Sequence, residues 1–242
     1  MIPRLRCVTL NVLGPANPDW ERRSLLIKDV LGRLGADVVA LQEVRAADVE
    51  QLLGPGYQVT PFSSASEDGT GGVLATRARH DVLEEIDQRT PEHGQDLPWC
   101  ATLIVVLESP VGRVLGDLDA TPDAGSMSFW RGRRSLDGAS VCFQDAWETA
   151  RPGEAGFTFS DENPLVRAGE VATAVSRRID YVLVRAGRHG ALLQVLRCDR
   201  LLDRPVGGVW ASDHYGVVAD LAVPRHPPGT WGEVSQGGAG GV

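Results

Sequence analysis

Arg6-Cys7-Val8-Thr9-Leu10-Asn11-Val12 is a short apolar and β-branched run ended by Gly14-Pro15 and Asn17-Pro18, the pattern of a strand closed by a turn. From Asp19 the period lengthens. Trp20, Leu25, Ile27, Val30, Leu31 and Leu34 recur mainly at three- and four-residue steps up to Gly35, which predicts an amphipathic helix with a glycine stop. Asp37-Val38-Val39-Ala40-Leu41-Gln42 then reads as a strand covered on both faces. A strand, an amphipathic helix and a buried strand within about 40 residues predict a layered α/β domain.

Downstream the pattern predicts a short helix over residues 47–53 and strands over 72–76, 102–107, 112–118, 141–146, 157–159, 179–184, 192–196 and 217–223. The link Glu108-Ser109-Pro110-Val111 is short enough to make a hairpin of Ala101–Leu107 and the run that begins at Gly112. From Pro224 onward the residues are Pro, Gly and small polar types, the composition of a flexible tail. No internal repeat and no dividing linker stand out, so one domain over residues 1–223 and a tail over 224–242 are expected.

Composition narrows the class. Hydrophobic residues make up 43% and charged residues 23% of 242, which suits an ordinary folded domain and excludes wholesale disorder and collagen-like repeats. No apolar run approaches the roughly 20 residues of a membrane span, and the N-terminus lacks the pattern of a secretory signal. A cytoplasmic address is therefore expected. Cys7, Cys100, Cys142 and Cys198 have no CxxC spacing and read as buried thiols rather than disulfides or zinc ligands. Net charge is −8, and the only lysine is Lys28. No basic run marks a non-specific grip on nucleic acid.

Polar residues that interrupt apolar strands carry the chemistry, because burying them without partners is costly. Asn11 lies in the first strand and Glu43 follows the second. Asp117 and Asp119 are two apart after Val114-Leu115-Gly116, so they share a strand face. Asp180 opens the run to Val184, and Ser212-Asp213-His214 precedes the last strand. Each could be a turn, a cap or a solvated side chain. Together they offer the hard oxygen donors that suit Mg²⁺ or Mn²⁺ better than zinc.

Five segments in order carry a family resemblance: Thr9-Leu10-Asn11-Val12, Asp37 to Val44, Gly116-Asp117-Leu118-Asp119-Ala120-Thr121-Pro122-Asp123, Arg178-Ile179-Asp180-Tyr181-Val182 and Ser212-Asp213-His214. The chain resembles the endonuclease/exonuclease/phosphatase superfamily, whose fold is deoxyribonuclease I-like. The resemblance implies a four-layer α/β sandwich, with two central mixed β-sheets flanked by helices, and metal-dependent hydrolysis of phosphoesters. It implies that Glu43 holds the cation, Mg²⁺ or Mn²⁺, with Asn11 and Asp213 beside it. Asp117 would orient and deprotonate water, His214 would contact the phosphate, and Asp180 would keep His214 oriented and protonated.

Two departures qualify the expectation. The family's GDxN has become Gly116-Asp117-Leu118-Asp119, so a carboxylate that cannot donate replaces an amide that can. A unit charge about 4 Å from a phosphate repels it by roughly 4 kcal/mol at an effective dielectric of 20. Asp119 is then either a damaging change or an added metal ligand. Further, the family's histidine strand and crossover helix have no counterpart before Gly116, so the sandwich is expected to lack one strand–helix unit there. A non-hydrolytic member, a binding protein or a catalyst of another reaction, is the alternative. Trp20, Arg22 and Arg23 read as anchors of the first helix. Trp130 and Arg131 could stack a base or grip a phosphate, or could simply anchor a loop. Trp210 is placed at the mouth of the site. The substrate is a phosphoester, with nucleic acid among the candidates and no membrane partner expected.

Overall fold

The computed structural model describes residues 4–87, 101–107, 113–169 and 176–224. The first strand, β1 (Arg4–Asn11), leads through a turn to α1 (Trp20–Leu34) and then β2 (Val38–Arg45). β1 and β2 pair in parallel, which requires a crossover, and α1 supplies it. The helix stops where Gly35 enters the left-handed region at φ 54° and donates its N–H to Leu31 O at 3.2 Å. A 3₁₀ turn at Ala46–Asp48 leads into α2 (Val49–Leu53), followed by β3 (Gln58–Ala65) and β4 (Thr70–Thr76).

β5 (His80–Asp87) pairs with β6 (Ala101–Leu107), and β7 (Arg113–Asp117) precedes α3 (Gly125–Trp130). Then come β8 (Phe143–Asp145), α4 (Ala146–Ala150), α5 (Pro164–Ala168), β9 (Asp180–Gly187), β10 (Gly190–Ala191), β11 (Gln194–Leu201) and β12 (Gly216–Ala222). A six-stranded sheet runs in the order β11-β12-β1-β2-β4-β3. A second sheet runs β10-β9-β7, with β8 also on β9, and β5-β6 form a separate pair.

Alternation along β1 explains the layers. Val8, Leu10 and Val12 face Ile27 and Leu31 of α1 and Leu52 and Leu53 of α2. Cys7, on the opposite face, belongs with Val182 and Val184 of β9 and Val217, Ala219 and Leu221 of β12, in the core between the sheets. Tyr181 and Leu183, on the other face of β9, pack against Met127 of α3. The order is helix, sheet, sheet, helix, the four-layer α/β sandwich expected from the sequence.

Several local expectations need correction. Among the described residues, the strands read as a hairpin across 108–111 do not pair with each other; β6 pairs with β5 and β7 with β9. Residues 157–159 make only isolated bridges, from Phe159 to Arg177 and to His214. The strand read over 192–196 starts later and runs further, as β11, with the two-residue β10 just before it. β3 escaped the pattern because it is a half-exposed edge strand that tolerates Pro61. Cys7 and Cys198 are buried as expected, whereas Cys142 is exposed. Cys100 lies outside the described residues, as does all of the expected tail except Pro224.

One buried cation fixes the loop that leaves β1. Arg23 is 1% exposed, and its guanidinium donates to the carbonyl oxygens of Val12, Leu13, Gly14, Asn17, Pro18 and Ala211 at 2.8–3.4 Å. Gly14 O also accepts Asn17 N–H at 3.2 Å, and Arg23 supplies donors to the other carbonyls where the loop is buried. Arg23→Met is expected to lower the unfolding free energy by about 3 kcal/mol, read as a shifted urea midpoint. A loss below about 1 kcal/mol would mean that water satisfies the carbonyls instead.

Candidate active site

The site forms where strand ends from both sheets meet. β1 and β2 run in parallel and β12 runs antiparallel to β1, so the ends bearing Asn11 and Glu43 lie beside the start of β12. In the second sheet, β7 and β9 are antiparallel, with Asp117 directly opposite Asp180. Packing the sheets brings these ends together.

Glu43 stands in an irregular stretch of β2. The β2–β4 register shifts between Leu41 and Val44, and Glu43 adopts φ 55°, a left-handed conformation that is uncommon for a glutamate. Such a bulge aims a side chain out of the regular pleat and is concentrated near functional sites. Asn11 Nδ2 donates to Glu43 Oε1 at 3.0 Å and to Asp117 Oδ2 at 3.3 Å, so one amide ties the two sheets. Its Oδ1 accepts Leu13 N–H at 3.0 Å, which fixes the orientation of the amide.

His214 is 6% exposed. Its Nδ1 donates to Asp180 Oδ2 at 3.0 Å and lies 3.8 Å from Asp117 Oδ2. Burial disfavours the imidazolium, but Asp180, Asp117 and Asp213 outweigh it and raise the pKa to about 10. Asp117 is raised to about 6, first by burial and then by Asp180, against the pull of His214. Burial likewise raises Glu43, countered by the hydrogen bond from Asn11.

Residues outside the recognised segments hold this cluster. Thr158 Oγ1 accepts from the N–H groups of Ile179 and Asp180 at 3.0 and 3.2 Å. Asn163 Nδ2 donates to Ser212 O at 2.8 Å, and its Oδ1 caps α5 through Leu165 N–H. Ser212 Oγ donates to Asn11 O at 2.7 Å and accepts His214 N–H at 3.2 Å. Asn163-Pro164 carried a legible cap signal. Thr158 carried none, since its partners are distant in sequence.

The structure thus brings together Asn11, Glu43, Asp117, Asp180 and His214, with Asp213 near enough to Glu43 to influence its charge. Asp119 stands at the rim with its side chain 82% exposed, 3.8 Å from Arg177. Trp130 and Arg131 make their contacts elsewhere. Trp130 packs edge-on against Phe143 at 5.1 Å, and Arg131 is ion-paired to Glu148. Trp210 stacks on Tyr215 with centroids 6.0 Å apart.

The donors suit a divalent cation. Ligand atoms of Asp117, Asp180 and His214 all lie within 4.8 Å of one another. His214 Nδ1 is taken there by its hydrogen bond to Asp180, so the open oxygens are those around Glu43 and Asp117. The set is rich in hard carboxylate oxygen, as a hard divalent cation requires.

Comparison with known proteins gives the family and the fold. The model of the Endonuclease/Exonuclease/phosphatase family matches residues 8–214, and the chain belongs to that family of phosphoester hydrolases, which generally depend on divalent metal. Among solved structures, D. rerio TDP2 complexed with a single-strand DNA product is similar at a TM-score of 0.63 and 17% identity, covering 91% of this chain and 99% of that one. The endonuclease/exonuclease/phosphatase from Bacteroides vulgatus is similar at 0.61 and 16%, covering 92% and 100%. Truncated Caenorhabditis elegans TDP2 gives 0.61 and 14%, covering 91% and 98%. At these identities the likeness concerns the fold. No curated protein matches the chain.

Linkage makes the cluster measurable through stability. The folded pKa of His214 lies above its ordinary 6.5, so its stabilising contribution is complete below about pH 6.5 and is lost as pH rises toward about 10. Unfolding free energy of the metal-free protein should fall across that window, and Asp180→Asn should flatten the fall. A flat wild-type profile between those pH values would contradict the charge assignment.

Proposed function

We propose that the protein is a Mg²⁺-dependent hydrolase of phosphoester bonds, with a phosphodiester of nucleic acid as the leading substrate class. The observation that carries the reading is the buried ring of His214, hydrogen-bonded to Asp180, 3.8 Å from Asp117 and within one cluster with Glu43 and Asn11. A cation to hold the phosphate, a base for water and a cation to meet developing charge are what this reaction needs. TDP2 in complex with a single-strand DNA product, a structural relative, supports nucleic acid as the substrate.

Glu43 would hold Mg²⁺, with Asn11 and Asp213 beside it, and the ion would draw charge from the phosphate. Asp117 would orient water and take its proton. Its pKa of about 6 suits a base that works near neutral pH. His214 would present Nε2–H to the phosphate, while Asp180 keeps the ring oriented and charged. Trp210 would line the mouth. Trp130 and Arg131 would act on the substrate only indirectly, because Arg131 is engaged by Glu148. The cysteine pattern favours a reducing, cytoplasmic compartment.

Reduced activity belongs to the proposal. Only five residues, 108–112, separate β6 from β7, too few for a strand and a crossover helix. The histidine that the family places there would be missing, and Asp119 would not supply the amide's hydrogen bond. These two features also favour the second reading, a non-hydrolytic member that binds phosphoesters.

Hydrolysis of bis(p-nitrophenyl) phosphate and of single-stranded DNA tests the proposal. Turnover is expected with Mg²⁺ and not with EDTA, and Glu43→Ala and His214→Ala should each reduce it about a thousandfold. Turnover that survives EDTA, or both substitutions, would sink it. Asp119→Asn is expected to raise turnover at least about tenfold. No gain in a folded variant would favour the binding reading.

A further inference from the structure

Arg177 stands at the rim of the site and has no part in the reaction described above. Its backbone is firmly held. Arg177 N–H donates to Phe159 O at 2.7 Å, and Arg177 O accepts from Thr158 and Phe159 N–H at 2.9 and 3.0 Å. Phe159 in turn bridges to His214 on its other side. The Phe159 ring packs edge-on against the His214 ring at 5.1 Å and lies 5.3 Å from Cζ of Arg177. One aromatic ring therefore seats both the imidazolium and the guanidinium.

The guanidinium itself is loosely committed. Its one ion pair among the described residues is to Asp119, at 3.8 Å, where the carboxylate side chain is 82% exposed. Such a pair is weak and easily exchanged. Nε is buried and has no hydrogen-bond partner among the described residues, so the charge of the guanidinium is presented through its Nη end. The next residue shows the contrast. Arg178 shares the unpartnered Nε, but its side chain is 3% exposed and its Nη nitrogens are held by Asp145 at 2.6 Å and Glu148 at 3.3 Å, so its charge is committed to the structure.

We propose that Arg177 is an anion clamp for the phosphate group of the substrate, resting against Asp119 until a phosphate displaces the carboxylate. A planar guanidinium can bind two non-bridging phosphate oxygens at once, here through the Nη nitrogens that face Asp119. Asp119, in place of the family's asparagine, is the competing anion that keeps the clamp closed. The clamp rests on the reading of the site as a phosphoester site, but not on turnover.

Calorimetric titration of the Mg²⁺-loaded protein with inorganic phosphate at pH 7 separates the clamp from simple charge balance. Asp119→Asn should tighten phosphate binding, because the competing anion is removed. Arg177→Gln, which keeps the stem on Phe159, should weaken it about tenfold. The decisive comparison is made in the Asp119→Asn background. There, Arg177→Gln should still cost about tenfold, because the clamp contacts phosphate itself. Equal affinities of Asp119→Asn and the double variant would overturn the proposal, leaving Arg177 only as a neutraliser of Asp119. An Asp119→Asn protein that binds no phosphate would overturn it too. If Arg177→Gln does not fold, Arg177→Lys serves, with an expected loss of about threefold for a point charge without the fork, and no loss overturns the proposal. Phosphate binding with this pattern but no hydrolysis would refute the hydrolase reading and leave the clamp standing.

Discussion

Asp117 and Asp180 sit directly opposite each other across the β7–β9 ladder. Like charges at such a position push strands apart, and burial makes the repulsion stronger. The sheet tolerates the pair because His214 enters from the loop before β12 and places Nδ1 within 3.8 Å of both. That constraint sets the surroundings. The His214 loop must be held against the end of β1, which Ser212 does through Asn11 O, and Asn163 fixes the same loop from the other side. Asn11 then joins Glu43 to Asp117. The two sheets are locked together at the place where the chemistry is proposed to occur.

The same arrangement reconciles a net charge of −8 with an anionic substrate. The protein as a whole would repel a phosphate mildly, but the site concentrates cationic features locally. Three carboxylates raise the pKa of His214 to about 10, which favours its charged form, and the oxygens of Glu43 and Asp117 are proposed to face a divalent ion. Arg177 adds a third positive group at the rim. Asp119, which looks damaging in the sequence because it brings an anion toward the phosphate, stands exposed beside that arginine rather than inside the cluster.

Much of this was legible in the sequence, and the reasons are specific. β1, α1 and β2 announced themselves because the strands are mostly buried, the helix carries a buried stripe through Ile27 and Leu31, and their ends carry glycine and proline signals, although Leu25 of the helix pattern is exposed. Asp117, Asp180 and His214 stood out as polar interruptions of apolar strands, and their order carried the family resemblance. β3 was silent because an edge strand need not alternate cleanly. The β6–β7 hairpin was misread because a short link fits a hairpin and says nothing about which neighbour wins the pairing. Trp130 and Arg131 looked available for substrate, yet their partners Phe143 and Glu148 are nearby only in space. The bulge that turns Glu43 toward the site left no sequence trace, since its cause is a register shift against β4.

The central claim is that His214 is an imidazolium at neutral pH, shared by Asp117 and Asp180. Long-range ¹H–¹⁵N correlation spectra of the ring nitrogens, followed through a pH titration, report that charge directly. Both nitrogens should carry protons at pH 7.5, and the ring should lose its charge only near pH 10. A ring that is already neutral at pH 7.5 would contradict the account.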